Sequence, residues 1–228
     1  QKNEAYVVVS DDGATLTFYY DAQKSSRTGT VYGIKETRYQ GRCPAWAGVP
    51  EANNTWTTTV VFDTSFKNYR PTTTRCWFGD CRALKNITGW ENLNTSEVTD
   101  MTEMFFACTS LTSLDLSNFN TQKVTDLRGM FQHCTALATI NSNTTWQCQE
   151  SENMFAGCTK LKGAVAYDKN KVDAKMANPE TGYFTAKPAT EKMNRRSAAH
   201  LPAASKRGAR KHLPNGVSVV NGKKTVKP

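Results

Sequence analysis

The chain has 228 residues, with 29 Lys and Arg against 20 Asp and Glu, a formal net charge of +9. It contains no run of 18 apolar residues that would serve as a membrane-crossing helix. The charge is uneven: Lys187–Pro228 hold eleven Lys and Arg and one acid, Glu191, leaving eighteen basic and nineteen acidic residues elsewhere. The body is therefore near neutral, and the global excess does not argue for nucleic-acid binding. Gln1-Lys2-Asn3-Glu4 carries no apolar signal-peptide core, so Gln1 is read as near a mature N-terminus whose export signal has been removed.

The first predicted element is a hairpin. Ala5–Ser10 and Thr15–Tyr20 are β-rich runs flanking Asp11-Asp12-Gly13, a turn signal. With Thr30–Tyr39 they are placed to shield the first apolar face of a repeat stack, so residues 1–59 are assigned as an N-terminal β cap. Cys43-Pro44-Ala45-Trp46-Ala47-Gly48-Val49-Pro50 reads as a turn-rich link, with Trp46 packing on the cap. Trp56–Phe62 alternates and then turns fully apolar, as a strand joining cap to repeats would.

Next comes a segment that occurs twice. Asn94-Thr95, Val98-Thr99-Asp100, Met104-Phe105, Cys108-Thr109, Leu111 and Leu114 recur 26 residues later as Asn120-Thr121, Val124-Thr125-Asp126, Met130-Phe131, Cys134-Thr135, Leu137 and Ile140. Weaker copies lie upstream at Trp77-Phe78, Cys81, Leu84 and Ile87, and downstream at Met154-Phe155, Cys158 and Leu161. A period of this length predicts stacked units. Val98, Met101, Met104-Phe105 and Cys108 are three or four apart, which predicts one side of a short helical turn; Leu114-x-Leu116 has the strand period of two. Four coils over residues 60–164 are expected, their strands in a ladder and Cys81, Cys108, Cys134 and Cys158 in one internal column.

Leu111-x-x-Leu114-x-Leu116 matches the start of a leucine-rich repeat, although Phe119, between Asn118 and Asn120, stands where that motif wants Asn or Cys. With the Met-Phe-x-x-Cys-x-x-Leu block and the Asn-Thr-x-x-Val-Thr-Asp phrase, Tyr6–Thr185 resembles the BspA-like leucine-rich repeat family of Bacteroides-group surface proteins. The fold class expected is an α+β repeat solenoid of short strand plus short helical turn. The resemblance further implies a secreted or cell-surface protein linked to adhesion.

The repeat fails after Leu161, where Ala164 replaces Leu114 and Ile140. Residues 165–185 are assigned as a closing segment that covers the last coil, with Tyr183 and Phe184 as its apolar anchors. Residues 186–228 read as a basic, mostly disordered tail rich in Lys, Arg, Ala, Ser and Pro. Within it, Leu213–Lys224 reads as two short strand pieces around glycine turns, and its Gly-Val-x-Val-Val-Asn-Gly-Lys-Lys phrase resembles a remnant of a type IX secretion sorting tail. No aromatic lies between Lys187 and Pro228, so the tail offers no base-stacking platform. Weak contact with anionic surfaces is the most its charge implies.

The seven cysteines include the four of the column, read as small buried apolar residues, with disulfides between adjacent rungs as the alternative. Cys43, Cys76 and Cys148 lie outside it and cannot be paired from sequence. No Cys-x-x-Cys spacing suggests a metal, and no cofactor fingerprint appears. Only three histidines exist, two of them in the basic tail, so no catalytic residue is assigned.

Binding candidates are the departures from the repeat's own pattern. Phe106 aligns with Gly79, Gln132 and Ala156, and His133 precedes Cys134 where other units have Asp80, Ala107 and Gly157. Trp90 and Trp146 lie in the loops that change length; the plain alternative is that both fold back to plug irregular coils. The expected function is a monomeric, non-catalytic binding module recognising host or neighbouring-cell proteins or glycans. The alternative is a structural spacer whose basic tail does the anchoring.

Overall fold

The computed structural model of the chain describes residues 2–188 and two short strands of a separate C-terminal unit, Ser218–Val220 and Lys223–Thr225. In the first unit, β1 (Glu4–Val9) and β2 (Thr15–Asp21) form an antiparallel hairpin. Asp12 closes its turn by accepting from Ser10 Oγ and Ala14 N, and Gly13 takes the left-handed conformation that such a tight turn needs. β3 (Thr30–Gly33) pairs with the far side of β1, while β4 (Thr37–Arg38) and β5 (Cys43–Pro44) make a small hairpin of their own. β6 (Thr59–Phe62) lies parallel to β2, and β7 (Asn86–Thr88) parallel to β6. The N-terminal segment and the first repeat thus share one five-stranded sheet, in the order β3-β1-β2-β6-β7. β8 (Ser113–Asp115), β9 (Thr139–Asn141) and β10 (Phe184–Thr185) form a second, parallel sheet in the order β10-β9-β8.

The expected α+β leucine-rich-repeat solenoid is not what the chain forms. The described residues are sheet, turn and coil with short 3-10 turns and no α-helix. The strands do not make one ladder either, because β7 and β8 belong to different sheets. At that break Trp90 opens a 3-10 turn and packs against Phe62 and Phe119, with ring centroids 5.5 Å away in each case.

The reason no helix forms lies in where the backbone N–H groups go. In an α-helix each donates to the carbonyl four residues back. Here alternate N–H groups leave the segment altogether: Glu103, Phe105 and Ala107 donate to the carbonyls of Arg128, Met130 and Gln132 at 2.8–2.9 Å. The residues between them, Met104, Phe106 and Cys108, close turns onto Met101, Glu103 and Phe105. The same weave ties the unit at Cys76–Asp80 to Thr102–Phe106, and that at Gly129–His133 to Glu152–Ala156. Each segment turns by placing two residues at positive φ, four apart: Cys76 and Asp80, Glu103 and Ala107, Gly129 and His133, Asn153 and Gly157. Parallel bridges Thr73–Asp100, Asp100–Asp126 and Asp126–Glu150 keep the segments in register.

This weave still stacks the apolar positions. Phe105, Phe131 and Phe155 stack face to face, 5.5–5.7 Å apart, with Phe78 tilted at one end and Tyr183 edge-on at the other. All five are fully or almost fully buried, each side chain contributing about 1.5–3 kcal/mol. Cys81, Cys108, Cys134 and Cys158 are buried beside them as free thiols. Tyr183 and Phe184 lie against Phe155. In the C-terminal unit, β11 (Ser218–Val220) and β12 (Lys223–Thr225) pair antiparallel. The rest of the region read as a disordered tail, from Ala189 onward, lies outside the described residues, as does most of the sorting-tail phrase.

Candidate functional site

The segment Cys43–Asn54 runs alongside the first repeat and ends the stack. Gly48 N donates to Gly79 O and Asn54 N to Asp80 O, while Arg82 N returns a bond to Asn54 O. Trp46 is buried between Phe18 and Trp77 and donates from Nε1 to the Trp77 carbonyl. Above this segment the turn between β4 and β5 holds Tyr39, Gln40 and Gly41 at successive positive φ angles of 53°, 57° and 78°. Two non-glycine residues there cost about 1–2 kcal/mol each, strain sustained by the β4–β5 pairing and by Arg38 Nη2 donating to Ala52 O. Exposed Tyr39 and Arg42 are thereby held at a fixed place.

Between this turn and the repeats lies a small cavity of about 130 Å³, lined by Tyr39, Arg42, Cys43, Cys76, Glu103 and Phe106 among others. Cys76 Sγ donates to Glu103 Oε2 at 3.4 Å. The neighbouring Cys76 thiol, together with Arg75 and Arg42, holds the Cys43 thiol below the usual range despite burial and Glu103. The same contact with Cys43, with burial and Glu103 added, pushes Cys76 up. Asp80 is buried at this edge and paired with Arg82 at 3.0 Å.

Of the four residues singled out by sequence, the fold brings two together. Phe106, half-buried on the cavity rim, meets the exposed His133 ring edge to face, with centroids 5.6 Å apart. His133 occupies one of the positive-φ corners that it shares with Asp80, Ala107 and Gly157; it is exposed, whereas Asp80 and Ala107 are buried, so the units have the backbone conformation in common and not the surroundings of the side chain. The other two lie elsewhere. Trp146 is buried, stacked on Phe119 and edge-on to Phe184, and Trp90 is half-buried against Phe62 and Phe119. Both fill the places where the repeat changes length.

Sequence reasoning missed Tyr39, Arg42 and Glu103, and it left Cys43 and Cys76 unpaired. The one available signal was that both cysteines stand outside the repeat column. Among the described residues, no group of three His, Cys, Asp or Glu side chains is placed to hold a metal ion.

A family model described as "Mycoplasma protein of unknown function, DUF285" matches residues 54–183. That finding overturns the resemblance to BspA-like leucine-rich repeat proteins. The Leu-x-x-Leu-x-Leu spacing is met by any stacked unit with one buried turn column and one short strand, so it did not discriminate between families. No curated protein and no solved structure matches the chain.

Proposed function

We propose, from the premise that the chain belongs to the DUF285 family, that it is a non-catalytic binding module. Its recognition face is the Tyr39–Arg42 turn together with Phe106 and His133. Its partner is a protein displayed on a host or neighbouring cell. The observation that carries this reading is the Phe106–His133 pair, an aromatic anchor supported by backbone woven into the stack on both sides. Aromatic and Arg side chains on a rigid support lose little conformational entropy on binding, which is why they dominate interface energetics. A secreted or cell-surface location belongs to the same proposal, because such a face acts where its partner is displayed. No helix among the described residues is long and apolar enough to cross a membrane.

The test is binding of the full chain to immobilised extracellular matrix proteins and to a glycan array. Phe106→Ala, His133→Ala and Arg42→Ala are measured beside it. Phe106→Ala is expected to weaken binding about tenfold or more, the loss typical of a truncated anchor, with the thermal midpoint unchanged. Binding retained by all three variants would make the stack a spacer. Binding confined to glycans would replace the protein partner with a carbohydrate one.

A further inference from the structure

Cys43 and Cys76 differ from the other cysteines in what surrounds them. Cys81, Cys108, Cys134 and Cys158 are enclosed in the main core. Cys43 and Cys76 instead form a separate small apolar cluster with Ala47 and Val49, and both line the cavity beneath the Tyr39–Arg42 turn. Cys43 also borders a second cavity, of about 330 Å³, that includes Arg42 and Arg75. The two thiols belong to the same buried cluster, and the Glu103 carboxylate accepts from Cys76 at 3.4 Å. Two thiols in contact, a carboxylate on one and guanidinium groups around the other, are the parts that thiol–disulfide exchange uses.

We propose that Cys43 and Cys76 form a redox-active dithiol that exchanges with small-molecule disulfides and closes into a bond between the cap segment and the first repeat. Cys43 is the attacking thiol, since it borders both cavities and the arginines favour its thiolate. Its sulfur attacks one sulfur of a low-molecular-weight disulfide, that S–S bond breaks, and one small thiolate leaves and takes a proton from solvent. Cys76 then gives its proton to Glu103 and attacks the Cys43 sulfur of the mixed disulfide, releasing the second small thiol. The protein dithiol is oxidised by two electrons and the small disulfide is reduced by two. To bond, the two neighbouring sulfurs close to about 2.05 Å. The inference goes beyond the binding reading and does not depend on it.

The experiment incubates the reduced full chain with oxidised glutathione, blocks remaining thiols by alkylation after denaturation, and maps peptides without reduction. The expected product is a peptide pair joined through Cys43 and Cys76, with the four column cysteines recovered alkylated. Cys76→Ser is expected to stop the reaction at a glutathione adduct on Cys43, and Cys43→Ser to leave Cys76 unmodified. Cys148, half-buried outside the core column, is the internal competitor. Glutathione found only on Cys148, or any pairing other than Cys43 with Cys76, overturns the proposal. The peptide map of the unmutated chain decides the matter even if a variant fails to fold.

Discussion

The Cys134 thiol donates to the Phe105 carbonyl oxygen of the preceding repeat at 3.0 Å. Cys108 does the same to Phe78 O, and Cys158 to Phe131 O. The cysteine column is thus a run of single thiols, each reaching back one repeat. Phe105 O also accepts from Cys108 N, so removing the thiol does not leave it without a partner. Cys134→Ala should therefore cost only the lost volume and one weak bond, about 1–2 kcal/mol. Urea denaturation under reducing conditions measures it, and a loss above about 4 kcal/mol would mean the column does more than fill space.

The same burial makes stability fall at high pH. Burial pushes the Cys81 and Cys158 thiols up to about 12, and raises Cys108 and Cys134 as well. An unfolded thiol ionises at about 8.5. Above that pH the unfolded chain has released protons that the folded chain still holds, so ionisation favours unfolding. The contribution is fully present below pH about 8.5 and is lost as pH rises toward 12, at about 1.4 kcal/mol per pH unit for each thiol. Unfolding free energies at pH 8, 9 and 10 should show a shallower decline for Cys158→Ala than for the unmutated chain. Equal slopes would exclude this thiol as a cause.

Gly48 is a point of close approach between the cap segment and the first repeat. A Cβ there would fall 2.5 Å from the Asp80 carbonyl oxygen and 2.7 Å from Asn54 N, both backbone atoms with little room to yield. Gly48→Ala should destabilise by about 1–3 kcal/mol through overpacking. At Gly157 the cause differs: φ is +79°, and a Cβ would lie 2.9 Å from His133 Nδ1, a movable side-chain atom. Gly157→Ala should cost about 1–2 kcal/mol, mostly left-handed backbone strain. Removing the His133 ring should relieve little of it, which thermal melts of the single and double variants would show.

Trp146 is buried with its indole Nε1–H lacking a protein partner. It stacks on Phe119 with centroids 6.1 Å apart and meets Phe184 edge-on at 5.0 Å. Trp146→Ala should cost about 3–5 kcal/mol, the usual loss for a large buried aromatic. Trp146→Phe should cost within about 1 kcal/mol, because the unpaired donor disappears along with part of the volume. Chemical denaturation of both variants separates packing from hydrogen bonding, and equal losses would show that the N–H is not the liability.

By itself the sequence determined which residues would be buried together and where the chain would turn at its start. The 26-residue offset aligned Phe105 with Phe131 and Cys108 with Cys134, and Asp11-Asp12-Gly13 marked the β1–β2 turn. These signals are local or repeat with the chain, so they can be read along it. The spacing of Met101, Met104, Phe105 and Cys108 did not determine the backbone, because a helical turn and a succession of tight turns place those side chains on the same side. Tertiary structure decided between them: the Glu103, Phe105 and Ala107 N–H groups find their carbonyls in the next repeat, a partner that no window of local sequence contains. It also brought Cys43 to Cys76 and Phe106 to His133. Neither contact follows the helical or strand period by which the repeats were read. The first exists because the cap segment lies beside the first repeat, the second because neighbouring repeats lie side by side, in both cases exchanging hydrogen bonds across their backbones.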